Sequence, residues 1–176
     1  AYFLHRRYTF KNYQKIGVAI HLNKSNNISE IYNKVKNFPD FIHIDLIDES
    51  YNSENISIDI EMLHKIRELW PQKKLQIHIM SKNPNFWINQ LPKSRNTEVF
   101  FHYDENIDIE QTSSLILSKN FIPGIVLHNQ ISQSQIIKLI IQFNRRLWIT
   151  IKSSHRSANS MALQSQNHHG DTHAGL

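Results

Sequence analysis

Short apolar runs alternate with longer amphipathic stretches from residue 15 to residue 151. Runs rich in β-branched residues at 16–22, 41–46, 75–79, 98–101, 124–127 and 147–151 predict strands. Between them apolar residues recur at helical spacing: Ile28, Ile31 and Val35, then Ile60, Leu63, Ile66 and Leu69, then Ile109, Leu115 and Ile116 with Ser118, and finally 134–143. Asn27, Asp59 and Asp108 stand where a helix needs an N-cap, and Asn83-Pro84 opens a further helix before the fourth strand. Strand starts recur about every 23 to 34 residues, the length of one strand-helix unit.

This alternation predicts a parallel sheet covered by helices, either an open doubly wound sheet or a (β/α)8 barrel. No Gly-x-Gly-x-x-Gly turn follows the first strand, which removes the dinucleotide-binding form of the open sheet. Six strands and five helices would leave a barrel about two units short. On this pattern both α/β architectures stay open, the second as an incomplete (β/α)8 barrel of about six units.

Composition narrows the chemistry. The chain has 176 residues, enough for one core, and no cysteine, so disulfides, thiolate nucleophiles and Cys-based zinc sites are excluded. It has only four glycines, which argues against a glycine-rich phosphate cradle. The net charge is +5, but Arg6, Arg7, Lys11, Lys15 and Lys24 precede the first acid, and beyond them bases and acids balance. The excess marks a basic arm at 1–14, so neither nucleic acid nor a membrane is expected as a partner. No apolar run approaches the roughly 18 residues of a membrane span, and a cytoplasmic setting is expected. From residue 152 to 176 there is no Ile, Val, Phe, Tyr or Trp, which predicts a disordered polar tail after a strand-helix domain at 15–151.

Chemistry gathers at the strand ends. In Phe41-Ile42-His43-Ile44-Asp45-Leu46-Ile47-Asp48, His43 and Asp45 are two apart and share one strand face, while Ile42, Ile44 and Leu46 take the other. The third strand, Leu75-Gln76-Ile77-His78-Ile79-Met80, puts His78 and Met80 on one face. His102 ends the fourth strand and His128 the fifth. Two imidazoles and a carboxylate on neighbouring strands can meet one divalent metal, with Zn, Fe or Mn the natural choices. The stretch His168-His169-Gly170-Asp171-Thr172-His173 also has ligand-type residues, but it lies in no strand pattern.

The segment His43-Ile-Asp-Leu-Ile-Asp48, then Leu75-Gln-Ile-His78-Ile-Met80 with Asn83-Pro84, then Phe101-His102-Tyr103, then Gly124-Ile-Val-Leu127 resembles the successive strand motifs of the ribulose-phosphate 3-epimerase family. The resemblance implies a (β/α)8 barrel that epimerises C3 of a pentulose 5-phosphate by metal-assisted proton transfer through an enediolate. It implies His43, Asp45 and His78 as metal ligands, Asp45 also as an acid-base carboxylate, and Met80 and His102 as substrate contacts. It implies a divalent metal (Zn, Fe or Mn) and a sugar-phosphate substrate.

The sequence departs from that pattern in the first strand, which has His21 and no serine, and at Ile47, Glu49, His128 and Asn129. After Ile151 neither an Asn-Pro-Gly-x-x-Gly lid nor a Val-Asp-Gly-Gly follows, so the fourth ligand, the second carboxylate and the phosphate-binding glycines are missing. A truncated or degenerate member is expected, holding metal weakly and turning over little by itself. The alternative is a catalytically inactive binding or interaction module whose open barrel edge is covered by a second copy or a partner. A Schiff-base aldolase lacks its lysine, since Lys73 and Lys74 precede their strand.

Overall fold

The computed structural model describes residues 15–52, 57–128, 131–143 and 148–152. Six strands, β1 (Gly17–His21), β2 (Phe41–Ile47), β3 (Lys74–Met80), β4 (Thr97–His102), β5 (Ile122–His128) and β6 (Trp148–Lys152), alternate with five helices. These are α1 (Ile28–Val35), α2 (Met62–Leu69), α3 (Pro84–Gln90), α4 (Ile109–Ser118) and α5 (Gln133–Phe143). The basic arm and the tail beyond Lys152 lie outside the described residues. No helix among the described residues is long and apolar enough to cross a membrane.

Strand order decides between the two architectures. The sheet runs β1-β2-β3-β4-β5-β6 with every neighbouring pair parallel. A doubly wound sheet reverses its order at a switch point, whereas a barrel adds each strand beside the last. The uninterrupted order is that of the barrel, of which these residues form six units.

The apolar positions of the strands pack under the helices. Ile42, Ile44, Leu46, Ile79, Val99, Phe101 and Leu127 are fully buried there, in one cluster with Ile66, Ile88 and Ile116 from the helices. The alternate positions face inward and are polar or aromatic. On that face Glu98 is buried but satisfied by Lys74 Nζ at 2.7 Å and Gln76 Nε2 at 2.9 Å. The Phe41 ring lies against Gly17 of β1 and the Phe100 ring against Gly124 of β5, where a Cβ would collide with each ring. Here glycine serves close packing between strands.

Three of the four expected helix starts are realised. Asn27, Asn83 and Asp108 accept hydrogen bonds from the backbone N–H of Glu30, Phe86 and Gln111. Asp59 does not cap: α2 begins at Met62, with Glu61 before it and no side-chain cap. The Asn23–Ile58 antiparallel bridge and Lys24 N–H bonded to Ser57 O at 3.2 Å hold residues 57 and 58 extended, and a turn in which Met62 N–H reaches Asp59 O at 3.3 Å comes between them and the helix. Strand β5 begins at Ile122, ahead of the expected Gly124, because Pro123 is tolerated near a strand's first residue. Lys74 starts β3, at the amino end of the sheet and away from the strand ends that carry the imidazoles.

Two side chains tie the loops at the amino end. Arg67 donates to Ser94 Oγ at 3.0 Å and to the carbonyls of Lys73 and Arg95 at 2.8 Å each. Trp70, fully buried, donates from Nε1 to Lys36 O at 2.7 Å. Both fix the turns from which β2, β3 and β4 set out, and so the register on which the site depends.

Candidate metal centre

Parallel register brings the expected ligands together. Asp45 of β2 lies beside His78 of β3, and His43 lies one inward position earlier on β2, beside Gln76. His43 Nε2 is 3.2 Å and His78 Nδ1 3.1 Å from the same Asp45 oxygen, Oδ1. One ligand atom from each of the three residues lies within 4.8 Å of the others. The side chains of His43, Asp45 and His78 are 32, 15 and 14% exposed, so solvent can deliver an ion while most competing water is excluded.

The electrostatics suit a cation. Burial pushes the Asp45 carboxyl up, but hydrogen bonds from His43 and His78 and their charge outweigh it and hold it well below the usual carboxylate range. The hydrogen bond to Asp45 raises the His43 pKa against the opposing effect of burial. A carboxylate ionised at neutral pH with two imidazole nitrogens is a donor set that fits Zn, Fe or Mn.

A second ring of contacts surrounds the triad. His102, buried at the end of β4, places Nε2 at 2.8 Å from His78 Nε2, and its ring centre is 5.0 Å from that of His128. Tyr51, in the loop after β2, places its hydroxyl 3.0 Å from His102 Nδ1. Nothing in the sequence pattern marks Tyr51, since its partner is 51 residues away and it belongs to no periodic stripe. Met80 is buried beside Ile47, and its carbonyl accepts the Asp48 N–H at 3.1 Å. Asp48 also accepts from Trp87 Nε1 at 2.8 Å, which fastens the loop after β2 to α3. His21 is in register with Asp45, but its side chain is exposed and it is not part of the ligand group. Asn129 lies outside the described residues.

A cleft lined by Asp48, Glu49, Ile58, Asn83, Phe86 and Trp87 opens near the loop after β2. Its two carboxylates make it a poor receptor for a phosphate.

A parallel strand-helix array in barrel order, with histidine and aspartate converging on its inner face, defines a barrel-type domain with a candidate metal centre. The sequence profile of the ribulose-phosphate 3 epimerase family matches residues 15–155, and the chain belongs to that family. Members of the family are (β/α)8 barrels that depend on a metal and bind sugar phosphates. No curated protein matches the chain.

Proposed function

We propose that this chain carries the metal-holding part of a 3-epimerase site, with His43, Asp45 and His78 as ligands of one weakly held Zn, Fe or Mn ion. The observation that carries the reading is the convergence of three ligand atoms within 4.8 Å. A divalent ion held there supplies Lewis-acid stabilisation of the negative charge that develops when the C3 proton of a pentulose 5-phosphate leaves.

Asp45 is the residue placed to move that proton. Both imidazoles engage its Oδ1, which leaves Oδ2 to accept a proton from the substrate. Without a metal, the hydrogen bonds of His43 and His78 hold the carboxylate in orientation and make it a weak base. His102 and Met80, near the same strand ends, are the proposed walls of the substrate site, with the ring nitrogens of His102 turned to His78 and Tyr51. Inversion needs a second acid-base group on the opposite face of the carbon. The sequence has no Val-Asp-Gly-Gly to supply that group or grip the phosphate, so slow proton exchange with little inversion is the expected activity.

A second reading, an inactive epimerase-like binding module, draws support from the sheet edges. Among the described residues β1 and β6 each pair on one side only, and an uncovered parallel edge favours a partner or a second copy. A cytoplasmic setting belongs to the proposal on the sequence reading alone.

Metal analysis of the purified wild type beside His43→Ala and His78→Ala tests the ligand set. Up to one equivalent in the wild type and none in the variants is expected; equal content in all three contradicts it. Deuterium wash-in with ribulose 5-phosphate then separates the two readings. Slow exchange at C3 supports a one-base site, no exchange supports the binding module, and inversion at an ordinary enzymatic rate overturns both.

A further inference from the structure

The string of contacts that leads away from the ligand group has a direction. His78 Nδ1 faces Asp45 Oδ1 at 3.1 Å, His78 Nε2 faces His102 Nε2 at 2.8 Å, and His102 Nδ1 faces the Tyr51 hydroxyl at 3.0 Å. The two imidazole planes lie within 24° of each other with ring centres 4.9 Å apart, the edge-to-edge separation that an in-plane nitrogen-nitrogen hydrogen bond needs. A nitrogen-nitrogen contact of this length is a hydrogen bond only if one atom carries a proton and the other a lone pair.

Each neutral imidazole has one N–H, so fixing one end fixes the whole string. When His78 donates from Nδ1 to the Asp45 carboxylate, its Nε2 must accept. His102 then donates from Nε2 and accepts the Tyr51 O–H at Nδ1. An imidazole that offers its Nδ1 lone pair to a cation carries its proton on Nε2 instead. His78 then donates to His102 Nε2, and His102 donates from Nδ1 to the Tyr51 oxygen. Every atom is satisfied in both orders, because a hydroxyl can donate or accept.

We propose that His102, held by Tyr51, is a positioning residue that fixes the ring and tautomer of His78, and that uptake of a metal ion reverses the hydrogen-bond direction along His78, His102 and Tyr51. The proposal rests on the metal reading above. Its protons balance: His78 releases one from Nδ1 to solvent and gains one at Nε2 from His102 Nε2. His102 takes one at Nδ1 from solvent, and Tyr51 only rotates its O–H. Partners of this kind around a ligand histidine raise its basicity and hold its ring, and their loss typically costs about 10- to 100-fold in metal affinity.

Two-bond proton-nitrogen correlation spectra of the ¹⁵N-labelled full chain, without metal and with one equivalent of Zn, read the tautomers directly. The expected change is from Nε2–H to Nδ1–H on His102 and from Nδ1–H to Nε2–H on His78. A His102 tautomer that stays the same once Zn is taken up overturns the proposal. Competition with a chromophoric chelator gives the affinities. His102→Phe is expected to bind Zn about 10- to 100-fold more weakly. His102→Gln, whose amide oxygen can accept from His78 Nε2, should recover part of the loss. Tyr51→Phe, at a partly exposed loop position where folding is not at stake, should weaken binding less and in the same direction. Equal affinities of wild type, His102→Phe and Tyr51→Phe overturn this inference and leave the metal site standing. A wild type that takes up no Zn overturns the metal reading, and this inference with it.

Discussion

The two faces of the strands differ in character along the same residues. On the helix face, Ile42, Ile44, Leu46, Ile79 and Phe101 are buried completely. On the inner face, one residue away in each case, stand His43, Asp45, His78 and His102. Parallel strands covered on both sides ordinarily read as continuous apolar runs, because a polar side chain withdrawn from water costs stability. Here the alternation persists through β2 and β3, and the cost is offset by hydrogen bonds among the polar residues themselves. The helix face accounts for why the chain folds; the inner face accounts for what the fold can hold.

The largest expected effect comes from emptying the helix face. Phe101→Ala removes a fully buried ring and should cost about 3–5 kcal/mol, a large part of the roughly 5–15 kcal/mol of a typical domain. Urea denaturation measures it; a loss below about 1 kcal/mol would mean that neighbouring side chains close the cavity and that this layer does not carry the stability assigned to it.

Overfilling the inner face should cost less. Gly124→Ala drives a methyl into the Phe100 ring, which must swing away, and a loss of about 1–3 kcal/mol is expected in the same assay. An unchanged stability would show that the inner face is loosely packed at β4 and β5.

Smaller still is the pH dependence of the metal-free chain, which isolates the polar residues. The folded pKa of Asp45 lies below its unfolded value of about 3.9, so its contribution is present above that pH and is lost as pH falls through the folded value. The folded pKa of His43 lies above its unfolded value of about 6.5, so its contribution is complete below that pH and is lost as pH rises through the folded value. Stability should therefore be greatest between about pH 4 and 6.5 and decline on both sides. The alkaline decline is the shallower, since His43 is 32% exposed and screened by water. Urea midpoints from about pH 3 to about pH 9 for wild type and His43→Gln check this: the variant should lose the alkaline slope, and an equal slope in both contradicts the assignment.

What could be read from the sequence follows the same division. Period-two alternation exposed the helix face and the inward pairing of His43 with Asp45, because strand geometry alone sets which residues share a side. Helix starts at Asn27, Asn83 and Asp108 were legible because a cap is a local interaction. The start at Asp59 was misread because the residue before it, Ile58, is bridged to Asn23, 35 residues away in sequence, and a turn follows before the helix begins. The link from Tyr51 to His102 and the loop anchoring by Arg67 are contacts between distant segments with no periodic signature. Barrel order against doubly wound order was open for the same reason, since short-range pattern predicts the units but not the sequence in which they pair.

The central claim, that the inner face of β2 and β3 forms one cation site, is tested most directly by titrating the metal-free full chain with Zn beside Asp45→Asn. Asp45 touches both histidines, and the substitution keeps its shape while removing its charge. The account predicts a single saturable site in the wild type and its loss in the variant. Zn uptake of equal stoichiometry and affinity in both proteins would contradict it.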